Sequence, residues 1–216
     1  MNTPDKPLLI LGTGTFAVEI ADVASEVPGF IVAGFVENLD RSRCRERLED
    51  KPVFWVDDLG NSIGTHWFVC GLGTTHRSRF TEQVQQMGGG FVSLVHPSAR
   101  ISASSSLGAG CVIHPGAIVA GHSRLGNHVC VNRGATIGHH TTVDDFVTIG
   151  PGVNLAGNCR IGRATYIGIG ATIIDNLTVG SQSVVGAGAV VTKAVPDKVL
   201  VVGVPAKVVK EGIDGK

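Results

Sequence analysis

The chain has 216 residues, with 18 basic and 18 acidic side chains, so its formal net charge is zero. No basic block marks a nucleic-acid or membrane-surface binder, no apolar run reaches the ~20 residues that span a bilayer, and the first residues lack the pattern of a signal peptide. Five cysteines in no framework spacing, 30 glycines and few aromatics point to a reduced, cytoplasmic protein, rich in turns, with a core of small aliphatics.

The first elements alternate between two periodicities. KPLLIL, before Gly12, reads as a buried strand. GTGTFA (12–17) follows as a turn, VEIADVASEV (18–27) as an amphipathic helix and FIVAGFVEN (30–38) as a second strand. HWFVCGLG (66–73) predicts a third strand ending in a glycine turn, and RFTEQVQQMG (79–88) a helix stopped by glycine. GFVSLV (90–95) predicts a last strand leading straight into the next region. Such alternation predicts a small, Rossmann-like parallel α/β sheet over residues 1–94. The G-x-G-x-x-A loop would let backbone N–H groups approach a phosphate at a helix N-terminus, and Glu37 ends the second strand where a ribose-binding acid would sit. Two readings stay open here: a nucleotide or nucleotide-sugar site, and a plain tight turn. A redox dinucleotide site fits less well, because no second catalytic half follows.

From Val95 the sequence repeats. Stepping by six from Val95 to Val191 gives 17 positions, all Ile, Leu or Val. Four residues after each, the side chain is almost always small or β-branched, and the residue directly after the aliphatic is glycine in eight of the 17 units. That is the hexapeptide signature of a parallel β-helix, in which each unit makes a short strand and a turn. The aliphatic and the small residue are expected to point inward, with the glycine in a turn conformation that a Cβ would hinder. Cys111 and Cys159 occupy the small slot and read as buried packing residues.

Hexapeptides in this register resemble the left-handed β-helix acyltransferases, in which three units make a coil of 18 residues and coils stack ~4.8 Å apart. The expected architecture is therefore α/β plus all-β, with the β-helix and a carboxy-terminal tail over 95–216. A Rossmann-like module joined directly to such a helix resembles the bacterial PglD/NeuD-type sugar acyltransferases over essentially the whole chain. The stretches carrying the resemblance are GTGTFAVEIADV with GFVEN, LVHPSARI, IGHHTTVDDFVTIGPGVNLAGNCRIG and VVGAGAVVTKAVPDKVLVVGVPAKVVK.

The resemblance implies acetyl-CoA as co-substrate, no metal, a nucleotide-linked amino sugar as partner, and a homotrimer with active sites between subunits. It aligns the family's general base with His139 and its oxyanion amide with Gly157. Independently, Gly157 follows His139 by 18 residues, one coil. Two positions depart from the family pattern: the acid after the base is His140, and a second histidine nine residues after the base is Thr148. Asp144 and Asp145 are near in sequence. For CoA the resemblance implies Gly157, Ile169 and Ala187 along the pantetheine arm, Lys193 and Lys207 near phosphates, and Val204 and Pro205 beside the adenine. For the nucleotide it implies Gly12, Gly14, Thr15, Glu37 and Asn38.

The leading expectation is an N-acetyltransferase working through a direct ternary complex. The alternatives are a sialic-acid type O-acetyltransferase and a non-catalytic nucleotide-sugar-binding scaffold. A zinc hydratase on the same fold fits poorly, because its ligand histidines include a pair five residues apart. Among His96, His114, His122, His128, His139 and His140 no two have that spacing.

Overall fold

The computed structural model describes residues 6–216. The amino-terminal module contains β1 (Lys6–Leu11), α1 (Thr15–Glu26), β2 (Phe30–Glu37), β3 (Arg47–Leu48), β4 (Lys51–Trp55), β5 (Trp67–Cys70), α2 (Ser78–Gln86) and β6 (Gly90–Phe91). Its sheet runs β3-β4-β2-β1-β5-β6, with every pair parallel except the β3–β4 edge. The strand order reverses between β1 and β5, which makes their carboxyl ends a topological switch point. Leu8 and Ile10 pack against α1 through Ala17, Ile20, Val23 and Ala24, while Leu9 and Leu11 pack in a second cluster with Phe80 and Val84 of α2. A strand covered on both faces needs no polar alternation, which is why KPLLIL is nearly all apolar.

Three details differ from the sequence expectation. The helix after the glycine loop starts earlier, at Thr15, because Gly14 serves as its extended N-cap. β4 was not expected, since Pro52 and the polar residues around it mask its strand pattern; it pairs with β2 through Phe35 and Val53. GFVSLV is not one strand. Gly90–Phe91 completes the α/β sheet, whereas Leu94–Val95 pairs with Val112–Ile113 and opens the next module.

Seventeen two-residue strands follow, from Leu94–Val95 to Val190–Val191, and each of the 17 repeat aliphatics closes one of them. They stack in three parallel sheets in strict 18-residue register, as in Val119, Ile137, Leu155 and Ile173. This is the left-handed β-helix of the hexapeptide repeat. Each coil from Ile113 to Val179 buries three aliphatic side chains, each worth about 1.5–3 kcal/mol relative to exposure. The small slot also takes hydroxyls and thiols because a carbonyl 15 residues on accepts from them. Ser123 Oγ donates to Gly138 O at 2.9 Å, Thr165 Oγ1 to Gly180 O at 2.6 Å and Cys159 Sγ to Ile174 O at 3.2 Å. Cys111 and Cys159 are buried in this slot, and burial pushes both thiols up.

The glycine expectation needs correction. Left-handed backbone occurs two residues beyond the glycine that follows each aliphatic, at every sixth position from Gly110 to Gly188, where His122, His128, His140, Phe146, Asn158 and Ala164 also sit. The glycine directly after the aliphatic is required by stacking instead. A Cβ on Gly138 would lie 2.4 Å from Ala156 C and 2.5 Å from Gly157 N, in the backbone of the next coil.

The two modules are packed together at two corners of the prism. At one, Glu19 of α1 meets Arg133 at 2.6 Å and His96 Nε2 meets Glu26 at 2.9 Å. At the other, the buried Arg77 donates to the carbonyls of His128, Val147 and Thr74 and to Thr148 Oγ1, at 2.7–3.1 Å. Past the last coil, Val199–Val202 extends one sheet and Lys207–Glu211 returns antiparallel to it. The tail then bends back to the amino-terminal module, where Thr75 N donates to Lys216 O at 2.7 Å.

Candidate active site

The third corner of the prism is the one carrying His139. It lies between the sheet of Thr136–Ile137 and the sheet of Thr142–Val143. Among the described residues, no hydrogen bond, ion pair or ring contact joins His139 to the amino-terminal module. The imidazole is exposed and lies directly beneath Gly157: a Cβ at 157 would sit 2.8 Å from His139 Cε1 and 2.9 Å from Nε2. Gly157 is thus demanded by the ring packed against it. Its carbonyl accepts from Asn176 N at 3.1 Å, while its own N–H has no acceptor among the described residues. An exposed imidazole and an amide with no acceptor among the described residues therefore share one corner, one coil apart. A proton acceptor and an oxyanion donor need such an arrangement.

His140 is next to it, its Nδ1 3.1 Å from His139 Nδ1, and its ring lies against that of His122, tilted by 33° with centroids 4.8 Å apart. Asp144 and Asp145 are engaged elsewhere. Asp144 approaches Arg160 at 4.0 Å, and Asp145 accepts from Asn127 N at 2.7 Å and from Arg163 at 3.4 Å. Thr148 is buried on a different sheet from His139, with its hydroxyl accepting from Arg77 at 2.8 Å.

The expected CoA residues fall in three places. Lys193 follows the strand Val190–Val191 on the corner of His139 and Gly157, and it is exposed. Ile169 and Ala187 are exposed and one coil apart on the opposite edge of the sheet that contains Asn154–Leu155. Val204, Pro205 and Lys207 are exposed in the terminal hairpin. The sequence reading had not singled out Asp175, which lies exposed between Gly157 and Lys193 in the 18-residue column of His139.

The nucleotide candidates gather at the switch point. Gly12, with φ +109°, closes β1, and a Cβ there would meet Leu72 Cδ2 at 2.8 Å. Gly14 caps α1 without a side-chain partner, so the first helical amides, beginning at Thr15, have no side-chain cap. Glu37 is buried. Its Oε2 accepts from Thr13 Oγ1, and its Oε1 accepts from the amides of Asn38 and Leu39 at 2.8 Å and of Asp40 at 3.4 Å. Burial alone would raise the Glu37 pKa, but these hydrogen bonds outweigh it and hold the carboxyl below its usual range. Asn38 Nδ2 donates to Gln83 of α2 at 3.3 Å. A further residue, Arg43, reaches Thr13 Oγ1 at 2.9 Å and lines a cleft with Thr13, Glu46, Arg47, Leu48 and Val53. The sequence offered no periodic signal for it.

Among the described residues, no group of three or more His, Cys, Asp or Glu side chains is placed to hold a metal, and no helix is long and apolar enough to cross a membrane.

A stacked-hexapeptide prism with an open histidine corner, preceded by a doubly wound α/β module, defines an acyltransferase of the hexapeptide-repeat class. The family description "bacterial transferase hexapeptide (six repeats)" matches residues 158–193. The acetyltransferase domain of PglB from Neisseria gonorrhoeae, solved with acetyl coenzyme A, is 32% identical, with a TM-score of 0.87 over 95% of this chain and 100% of that one. PerB from Caulobacter crescentus, solved with CoA and GDP-perosamine, is 29% identical, with a TM-score of 0.87 over 94% of this chain and 97% of that one. WeeI from Acinetobacter baumannii, 24% identical, shares the fold with a TM-score of 0.83 over 94% of this chain and 100% of that one. A comparison with curated proteins gave no significant match. The chain belongs to the PglD/NeuD-type family of bacterial sugar acyltransferases.

Proposed function

We propose that the protein transfers an acetyl group from acetyl-CoA to the amine of a nucleotide-linked amino sugar, with His139 as general base and the Gly157 amide as oxyanion donor. The observation that carries this is the exposed His139 imidazole packed under Gly157, whose N–H is unpaired. The thioester is already activated, so no serine or cysteine nucleophile is needed. The acceptor nitrogen attacks the thioester carbonyl and gives its proton to His139 Nε2. The tetrahedral oxyanion is held by Gly157 N–H. Collapse expels the CoA thiolate, which takes the proton from the His139 imidazolium, leaving CoA thiol and the amide. A neutral imidazole suits both transfers near pH 7.

The switch-point loop of Gly12, Gly14 and Thr15 would receive the nucleotide phosphates, with Glu37 and Asn38 beside the ribose and base. PerB holds CoA together with GDP-perosamine, which supports an amino-sugar acceptor in this relative. The His139 corner is the one that the chain's own amino-terminal module leaves uncovered. An acceptor sugar bound at that module would therefore meet His139 of a neighbouring copy, and a homotrimer supplies this neighbour. Ile169 and Ala187, on the far edge of the sheet from Gly157, would then line the pantetheine arm together with the neighbour's corner.

The test is CoA-thiol release from acetyl-CoA with a panel of nucleotide-linked 4-amino sugars beside free sialic acid. Activity is expected with one nucleotide-linked amine, and His139→Ala should lower kcat by about 10²–10⁴-fold while acetyl-CoA still binds. Turnover only with a hydroxyl acceptor would replace N- by O-acetylation, and undiminished turnover in His139→Ala would remove the base assignment.

A further inference from the structure

His140 adjoins the proposed base His139, and the role assigned to it rests on that assignment. For His139 Nε2 to receive a proton, that nitrogen must be bare, which puts the ring hydrogen on Nδ1. His139 Nδ1 lies 3.1 Å from His140 Nδ1. Two nitrogens at this distance form a hydrogen bond only when one carries the hydrogen and the other a free lone pair. We propose that His140 is a positioning residue whose bare Nδ1 accepts the His139 Nδ1 hydrogen and so keeps His139 Nε2 open to the acceptor. The reverse polarity would place the His139 hydrogen on Nε2 and leave the corner without a base.

The backbone and a third histidine hold His140 in place. His140 occupies a left-handed corner, φ +57°, with its amide donating to Gly121 O at 3.0 Å. Its ring lies on that of His122 at 4.8 Å and stands at 86° to that of His139. His122 is itself a left-handed corner, φ +60°, whose amide donates to Ser104 Oγ at 3.1 Å. The three imidazoles thus form a column and a branch: His122 supports His140, and His140 sets the tautomer of His139. Among the described residues no carboxylate is paired with the ring of His139 or of His140: Asp144 approaches Arg160, and Asp145 is held at Asn127 with Arg163. The acceptor is neutral. It fixes the hydrogen without adding the charge that an acid would place beside the imidazolium.

The chain itself supplies conservative replacements. Left-handed corners equivalent to His140 are occupied by Ala164, by Asn158 and Asn176, and by Gln182, so His140→Ala and His140→Asn are compatible with the coil. His140→Ala removes the acceptor; His140→Asn restores one as a side-chain carbonyl oxygen. His140→Ala is expected to lower kcat about 10–100-fold, with KM for acetyl-CoA unchanged, and His140→Asn to recover most of the loss. Nitrogen-15 NMR of histidine-labelled protein, which needs no acceptor sugar, should find the hydrogen on Nδ1 of His139 and on Nε2 of His140, with the His139 preference lost in His140→Ala. Full kcat in His140→Ala beside an inactive His139→Ala would overturn the proposal and leave the base assignment standing. So would a His139 hydrogen found on Nε2. An active His139→Ala would instead remove the base assignment itself.

Discussion

His128 and His139 are both corner histidines of one prism, built from the same six-residue unit, and their surroundings are opposite. His128 is buried between Phe91, edge-on at 4.7 Å, and Phe146, stacked at 5.0 Å, and Arg163 lies 4.5 Å over the Phe146 ring. Its Nδ1 has no partner, and burial, with Arg77 adding to it, pushes its pKa down to about 4. His139 is exposed, with one ring nitrogen turned to His140 and its face to Gly157. The difference lies in what covers the corner. The amino-terminal module covers His128 and His114 at their corners, although Ile169 and Ala187 farther along the His114 corner stay exposed, and among the described residues no hydrogen bond, ion pair or ring contact joins it to His139. A repeat supplies equivalent positions; the appended domain decides which of them water and substrate reach.

The covered corner breaks most severely at Arg77. Arg77→Ala would leave the carbonyl of His128 without a donor inside the interface and the carbonyl of Val147 with Cys130 N alone. A loss of about 3–5 kcal/mol is expected, read as a lowered denaturant midpoint. At the open corner, Gly157→Ala puts a Cβ into the space of the His139 ring. It should cost about 10²–10³-fold in kcat with little change in thermal midpoint, since ring and amide are displaced while the coil persists. A midpoint shift as large as that of Arg77→Ala would mean that the two corners do not differ in kind.

Taken per histidine and per unit of pH, the smallest effect is a pH dependence. His114 and His128 are both pushed down to about 4, first by burial, then by Arg133 at His114 and by Arg77 at His128. Glu19 lies 3.7 Å from His114 Nδ1 but is already taken by Arg133 at 2.6 Å, so it does not keep a proton on the ring. Between pH 6.5 and about 4 the unfolded chain binds protons that the folded chain refuses. Stability is therefore full above pH 6.5 and falls as the pH drops toward 4, by up to about 1.4 kcal/mol per unit for each histidine. Thermal midpoints across this window should follow that slope, and His128→Asn, at a left-handed position that asparagine tolerates, should flatten it. An unchanged slope would mean that His128 is not the source.

The repeat was legible because it is local: every aliphatic from Val95 to Val191 closes a strand, and the period of 18 fixes the stacking of Gly157 on His139. β4 was less legible, since Pro52 interrupts its pattern although Val53 pairs well inside the sheet. The glycine that follows eight of the 17 aliphatics was visible as a position but not as a cause, because the crowding it relieves comes from the next coil.

By itself the sequence determined the two modules and the register of the coils, since periodicity needs no knowledge of distant contacts, and its resemblance to a family offered the candidate pair His139 and Gly157, whose spacing of one coil agrees with that register. The tertiary structure alone decided that Arg77 occupies Thr148, that Asp144 and Asp145 are committed to other partners, that Glu37 is closed over by Thr13 and three amides, and that one corner of three stays open. The first and last of these depend on which surfaces of the amino-terminal module meet the prism, whereas Asp144 and Asp145 are committed within the prism and Glu37 within the amino-terminal module. Docking of that kind is set by packing between residues tens of positions apart, which no local pattern encodes.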